Sequence, residues 1–188
     1  MQLDRATGWV AGITHCPSPN FNARPDGEAI SLLVIHNISL PPAQFATGKV
    51  QAFFQNRLDP DEHPFFETIK TLRVSAHFLI ERDGAITQFV SCLDRAWHAG
   101  VSTFDGREGC NDFSLGIELE GTDDLPFSDA QYQALQALTR QLQAAWPAIS
   151  CERIRGHSEI APGRKTDPGP AFDWARYRAA LQDSEEKS

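Results

Sequence analysis

SLLVIHNIS, residues 31–39, is a continuous apolar run rich in branched side chains that takes a histidine near its end. Bounded by turn formers before it and by Leu40-Pro41-Pro42 after it, the run predicts a strand buried on both faces. Such strands belong to α/β sheets, whose chemistry collects at the carboxyl ends of the strands. His36 and Asn37 stand at that end. FSLGIELEG, residues 113–121, reads as a second buried strand. Its alternation puts Glu118 and Glu120 on one face while Ile117 and Leu119 point to the other.

Working outward, residues 1–30 are rich in turn formers and predict a mostly irregular wrap over the surface. Residues 40–48 read as a loop, 49–56 as a short helix, and 58–75 as a loop with one helical turn at Pro64–Ile69. AHFLIERDGAITQFVS, residues 76–91, predicts a hairpin turning at Arg82-Asp83-Gly84. Residues 93–111 form a long glycine-rich loop, a kind of segment that usually carries function in a small domain. Ser128 is a helix N-cap, and apolar residues at helical spacing run over Asp129–Ala145 until Pro147 ends them. Residues 149–155 suggest a last strand, residues 172–181 a terminal helix with Asp173 at its start, and 182–188 a frayed end. The expectation is one α/β domain over residues 1–188, a mixed central β-sheet flanked by helices, with residues 1–16 peripheral.

Bulk properties narrow the function. With 188 residues, 41% apolar and 22% charged, the chain can bury one good core. No apolar run approaches the ~20 residues a membrane helix needs. The N-terminus lacks the basic region and apolar core of a signal peptide, so a cytoplasmic location is expected. Cys16, Cys92, Cys110 and Cys151 form no C-x-x-C pair and are expected as free thiols. A net charge of −8 argues against nucleic acid. The partner expected is a small molecule, with no membrane and no obligate protein partner.

Chemistry concentrates in GHSEIAPGRKTDPGPAFDW, residues 156–174. Pro162, Pro168 and Pro170 forbid a continuous helix and fix a loop bearing His157, Lys165 and Asp167. Burying His36 in its strand costs free energy unless a partner or a metal satisfies its nitrogens. Two imidazoles and a carboxylate are a common catalytic zinc set with room for water, although this spacing alone does not decide it. Glu118, inside an apolar strand, is either a general base or half of a buried salt bridge. Lys165 is either an oxyanion stabiliser or a surface lysine. His77 is a hydrogen-bonded core residue or a support for a ligand. His15 and His63 read as surface residues.

SLLVIHNISLPP, RVSAHFLIERDGAITQFV, RAWHAGVSTFDGRE, NDFSLGIELEGTDD and GHSEIAPGRKTDPGPAFDW occur here in that order. Together they resemble the zinc-dependent N-acetylmuramoyl-L-alanine amidases, the amidase-2 family related to peptidoglycan-recognition proteins. The resemblance spans residues 17 to 181 and is strongest to the branch that serves cytoplasmic peptidoglycan recycling. It implies an amidase/peptidoglycan-recognition-protein-like fold and one catalytic Zn2+ on His36, His157 and Asp167. It further implies that Glu118 activates water and that Lys165 polarises the scissile carbonyl. Asn37, Arg73, Trp97 and His98 fall where the family lines its substrate groove. Gly109 stands where some relatives carry a second arginine, and Arg107 is the candidate to replace it. The implied reaction cleaves the amide between the lactyl group of 1,6-anhydro-N-acetylmuramic acid and L-alanine, which in the family also lowers β-lactamase induction. The rival readings are a muropeptide-binding module without catalysis and an amidase acting on intact wall.

Overall fold

Six strands build the central sheet of the computed structural model, which describes residues 1–182. They are β1 (Thr14–His15), β2 (Leu32–Ile38), β3 (Phe78–Ile80), β4 (Ile86–Gln88), β5 (Ser114–Glu120) and β6 (Ile154–Gly156), arranged in the order β6-β2-β5-β3-β4-β1. β6, β2, β5 and β3 run parallel, and β4 turns back antiparallel to β3 through the predicted hairpin. The register between the two long strands sets the site: Leu32 faces Ser114 and, four rungs on, His36 faces Glu118. On the other side Gly156 pairs with Ile35, so the next residue, His157, leaves the sheet beside His36.

The helices are α1 (Lys49–Phe54), α2 (Pro64–Ile69), α3 (Asp129–Ala145), α4 (His157–Ile160) and α5 (Trp174–Gln182). Leu135, Leu138 and Leu142 of α3 and Tyr177 and Leu181 of α5 pack on Leu33, Ile35, Leu115, Ile117 and Leu119. Ser128 caps α3 as expected, and Gln131 completes a capping box. Asp173 caps α5, its Oδ1 accepting from Arg176 N at 2.9 Å. The opposite face is different. Along β2 it reads Leu32, Val34, His36, Ile38, with Leu32 and Val34 in one apolar cluster and Ile38 against another. Along β5 it reads Ser114, Gly116, Glu118, Glu120. His36 and the polar residues of β5 thus share one face, between apolar patches, while Asn37 alternates to the other.

Three expectations change. The first thirty residues are less irregular than predicted: Gln2–Asp4 pairs with Trp9–Ala11, β1 extends the sheet, and Phe21–Asn22 pairs with Arg95–Ala96. Segments of two or three residues are too short to carry a periodic signal, yet their buried backbone groups still need partners. The strand expected over residues 149–155 begins only at Ile154, after a 3-10 turn at Cys151–Arg153. β2 starts at Leu32 and pairs Ile154 with Leu33, leaving almost no edge upstream. The terminal helix begins at Trp174 rather than at residue 172.

Of the end expected to fray, residues 182–188, Gln182 closes α5 and residues 183–188 lie outside the described residues. Cys16, Cys92, Cys110 and Cys151 form no disulfide, as expected, and among the described residues no helix is long and apolar enough to cross a membrane.

Candidate metal centre

His36 Nδ1, His157 Nδ1 and Asp167 Oδ2 form a triangle. The two nitrogens are 3.0 Å apart, and each stands 3.1 Å from the carboxylate oxygen. His36 comes from the end of β2 and His157 from the first residue of α4. Asp167 comes from the loop that follows, whose backbone oxygen accepts from Ser158 N. Gly156 permits this closure, since a Cβ there would lie 2.9 Å from Pro168 Cδ.

Counting protons identifies what the triangle suits. His157 Nε2 faces the Ala99 carbonyl at 3.0 Å. A carbonyl only accepts, so Nε2 carries a hydrogen and Nδ1 is the nitrogen turned to the triangle. Burial chiefly lowers the His36 pKa to about 4, against the pull of Asp167, so that ring is neutral at pH 7. Burial would raise the Asp167 carboxyl, but contact with His157 and His36 outweighs it and holds the group well below the usual carboxylate range. Three atoms that can each present a lone pair stand 3.0–3.1 Å apart. A cation suits such a set, and tetrahedral zinc with N and O ligands would space their atoms by roughly 3.3 Å. The donor set fits such an ion.

The triangle opens into a cavity of about 850 Å³. Its polar part includes His36, Glu118, His157, Lys165 and Asp167, and its apolar wall is formed by Phe53, Phe65, Ile69, Leu72 and Val74. Glu118 is 8% exposed, and its Oε2 has no hydrogen-bond partner. Burial, assisted by Asp167 and opposed by Lys165, raises its pKa well above the ordinary value. Among the described residues it makes no ion pair, unlike a structural salt bridge. Glu120, on the same strand face, accepts from the backbone N–H groups of Ala46 at 2.6 Å and Arg82 at 3.3 Å. The two glutamates therefore have different work: Glu120 ties loops together and Glu118 faces the cavity.

The sequence profile of the N-acetylmuramoyl-L-alanine amidases matches residues 26–170. The chain belongs to that family. This amidase is 58% identical over 180 residues to the 1,6-anhydro-N-acetylmuramyl-L-alanine amidase AmpD of Salmonella typhimurium strain SL1344, covering 96% of both chains. A crystal structure of a Se-Met AmpD derivative superposes with a TM-score of 0.93 at 57% identity, covering 96% of this chain and 99% of that one. The E. coli amidase AmiD, solved in complex with anhydro-N-acetylmuramic acid-L-Ala-D-gamma-Glu-L-Lys, gives a TM-score of 0.59 at 30% identity, over 84% of this chain and 60% of that one.

In this amidase the remaining predicted site residues fall into two groups. Lys165 is exposed on the cavity, and Trp97 lines it with its Nε1 donating to Asn22 Oδ1 at 2.7 Å. Asn37 also lines it, while its Nδ2 donates to Asp123 Oδ1 at 2.7 Å and to the Pro168 carbonyl at 3.1 Å, joining two cavity loops. His98 reaches the cavity as a buried residue whose Nδ1 lies 2.9 Å from His36 Nε2. The two arginines stand apart from the lining. Arg73 is exposed and donates to the carbonyls of Lys70 and Leu72, both at 3.0 Å. Arg107 departs from its expected place in the groove: it pairs with Glu28 at 2.7 Å and stacks 4.0 Å over the Phe113 ring. Both partners lie away from the triangle and claim its guanidinium.

His77 takes the first of its two readings. Its Nδ1 accepts from Gly116 N at 3.0 Å and its Nε2 meets the Asp94 carbonyl at 3.1 Å. His63 caps α2, accepting from Phe65 N at 3.1 Å, and His15 Nε2 meets the Val10 carbonyl at 2.7 Å.

Two contributors had gone unassigned. Arg164 donates to the Ala99 carbonyl at 2.6 Å, the same oxygen that His157 uses, and no pattern in the sequence marks it. Gly116 does carry a signal, because glycine inside an apolar strand indicates close approach. A Cβ there would come within 2.6 Å of the His98 ring. Gly116→Ala should therefore lower stability by about 1–3 kcal/mol, as overpacking does. Urea unfolding of the variant measures it, and an unchanged midpoint would refute the contact.

Proposed function

We propose that this amidase hydrolyses the amide between the lactyl group of 1,6-anhydro-N-acetylmuramic acid and L-alanine of the stem peptide. It would do so in the cytoplasm, as a step of muropeptide recycling, with one Zn2+ held by His36, His157 and Asp167. The observation that carries the reading is the convergence of three donor atoms beside a buried, unpartnered glutamate in one cavity. When bound, zinc lowers the pKa of a coordinated water towards ~7 and polarises a carbonyl. The remaining work belongs to the chain. Glu118 takes the proton from the attacking water through its free carboxylate oxygen and returns it to the departing amine of L-alanine. The Lys165 ammonium meets the negative charge that develops on the scissile carbonyl oxygen. Trp97 offers a flat face to the sugar ring, and the apolar wall excludes water.

The substrate assignment draws on the relatives: AmpD at 58% identity carries the anhydromuramyl substrate in its name, and AmiD was solved with an anhydromuramyl peptide. Incubating the purified protein with anhydromuropeptides and with intact sacculi, with and without chelator, tests it by mass spectrometry. Chelator-sensitive release of stem peptide from the soluble substrate alone is expected. Equal release from sacculi would favour a wall amidase, and no release from zinc-loaded protein would favour a binding module.

A further inference from the structure

We propose that residues 98 and 99 form one common outer support for both imidazoles of the triangle, and that Asn111 is the positioning residue that holds this support in place. The inference rests on the metal reading above. His36 and His157 come from different strands, yet the atoms behind them come from consecutive residues. His36 Nε2 meets the side chain of His98, Nδ1 at 2.9 Å, and His157 Nε2 meets the main-chain carbonyl of Ala99 at 3.0 Å. With each Nδ1 turned to a cation, each Nε2 carries the ring hydrogen, and these two acceptors fix both tautomers and both ring angles. The acceptors are braced in turn. His98 Nε2 lies 3.1 Å from Ser114 Oγ, in space left by Gly116, and Arg164 donates to the Ala99 oxygen.

The segment itself belongs to no helix and lies beyond the short ladder of Arg95–Ala96. Its amides therefore need another partner. One atom serves both: Asn111 Oδ1 accepts from His98 N at 3.1 Å and from Ala99 N at 2.8 Å. Asn111 is 6% exposed and sits in the 3-10 turn Cys110–Asp112, outside the cavity lining. The same turn is anchored by the half-buried Arg24, whose Nη1 donates to the carbonyls of Asn111 at 3.1 Å and Asp112 at 2.9 Å. Asn111 thus touches neither ligand nor cavity, yet the peptide it grips orients both rings. Loss of that grip frees two rings at once.

The test compares Asn111→Ala with Asn111→Asp, whose carboxylate oxygen can still accept both amides. Zinc affinity is read by competition with a chromophoric chelator, ring tautomers by long-range 1H–15N spectra of the zinc-loaded protein, and stability by thermal unfolding of the metal-free protein. Asn111→Ala should lose about 10–100-fold in zinc affinity, the range typical of outer partners of metal ligands. It should also blur the two Nε2–H signals, while Asn111→Asp stays within a few-fold of wild type. A variant that melts earlier but binds zinc with unchanged affinity and tautomers would overturn the proposal, leaving Asn111 a merely structural residue. If Asn111→Ala does not fold, His98→Leu and His98→Gln decide: equal zinc affinity in the two overturns the proposal, and a selective loss in His98→Leu supports it. Failure of the wild-type protein itself to bind zinc would sink the metal reading, a result distinct from a variant that binds as well as wild type.

Discussion

Glu118→Gln should leave the fold and zinc affinity intact and reduce turnover by about 10²–10⁴-fold, the usual contribution of a general base. The argument rests on where the carboxylate stands. It is buried, has an oxygen without a hydrogen-bond partner, and makes no ion pair among the described residues. A residue kept for stability would not be left so. The same feature makes a second measurement possible on the metal-free protein. Burial raises the folded-state pKa of Glu118 above its unfolded value. The folded state therefore binds the proton more tightly, and stability falls as pH rises from the ordinary carboxylate range through the folded value. Glutamine carries no such penalty. Metal-free Glu118→Gln should melt above metal-free wild type at pH 8, with the gap closing towards pH 4. Near-normal kcat would remove Glu118 from the mechanism, and a gap independent of pH would contradict the burial argument.

His36→Ala and Asp167→Ala should each lose zinc and activity together, activity falling to the uncatalysed background. Each variant removes one of three donors that lie 3.0–3.1 Å apart, and two remaining protein ligands make a poor site for an ion usually held by three or four. The partners left behind differ. Without Asp167, two imidazoles face each other with no anion to balance a dication. Without His36, His98 loses the ring it supports. Metal stoichiometry measured by emission spectrometry alongside peptide release gives the outcome, and zinc retained at one equivalent by either variant would refute the ligand assignment.

The parts of this molecule that could be read from residues were those with local causes. The α3 boundaries followed from Ser128, a helical apolar period and Pro147, and α2 and the hairpin likewise matched their turn and cap residues. Strand alternation placed Glu118 and Glu120 on one face, but nothing local separated them; two backbone amides reaching Glu120 from elsewhere did that. Partner choice between strands is non-local, so the pairing of His36 with Glu118 was beyond a single-sequence reading, as were the two-residue strands of the N-terminal segment. Arg107 illustrates the limit for surface charges. A long side chain near the right place went to Glu28 and Phe113, and only coordinates decide between such partners.

His36 and Glu118 are partners on one rung of a parallel ladder. Their separation is set by main-chain hydrogen bonding rather than by the packing of variable side chains, close to the ~4.8 Å between adjacent strands. This divides the protein for an engineer. The loops rimming the cavity can be lengthened, shortened or exchanged to change what enters, and the distance from Glu118 to His36 will not drift. A single residue deleted from β5 ahead of Glu118 does the opposite: it turns the carboxylate into the core and presents Leu119 beside His36. Substrate choice is thus open to gradual revision, whereas the chemistry itself is kept or lost in one-residue steps.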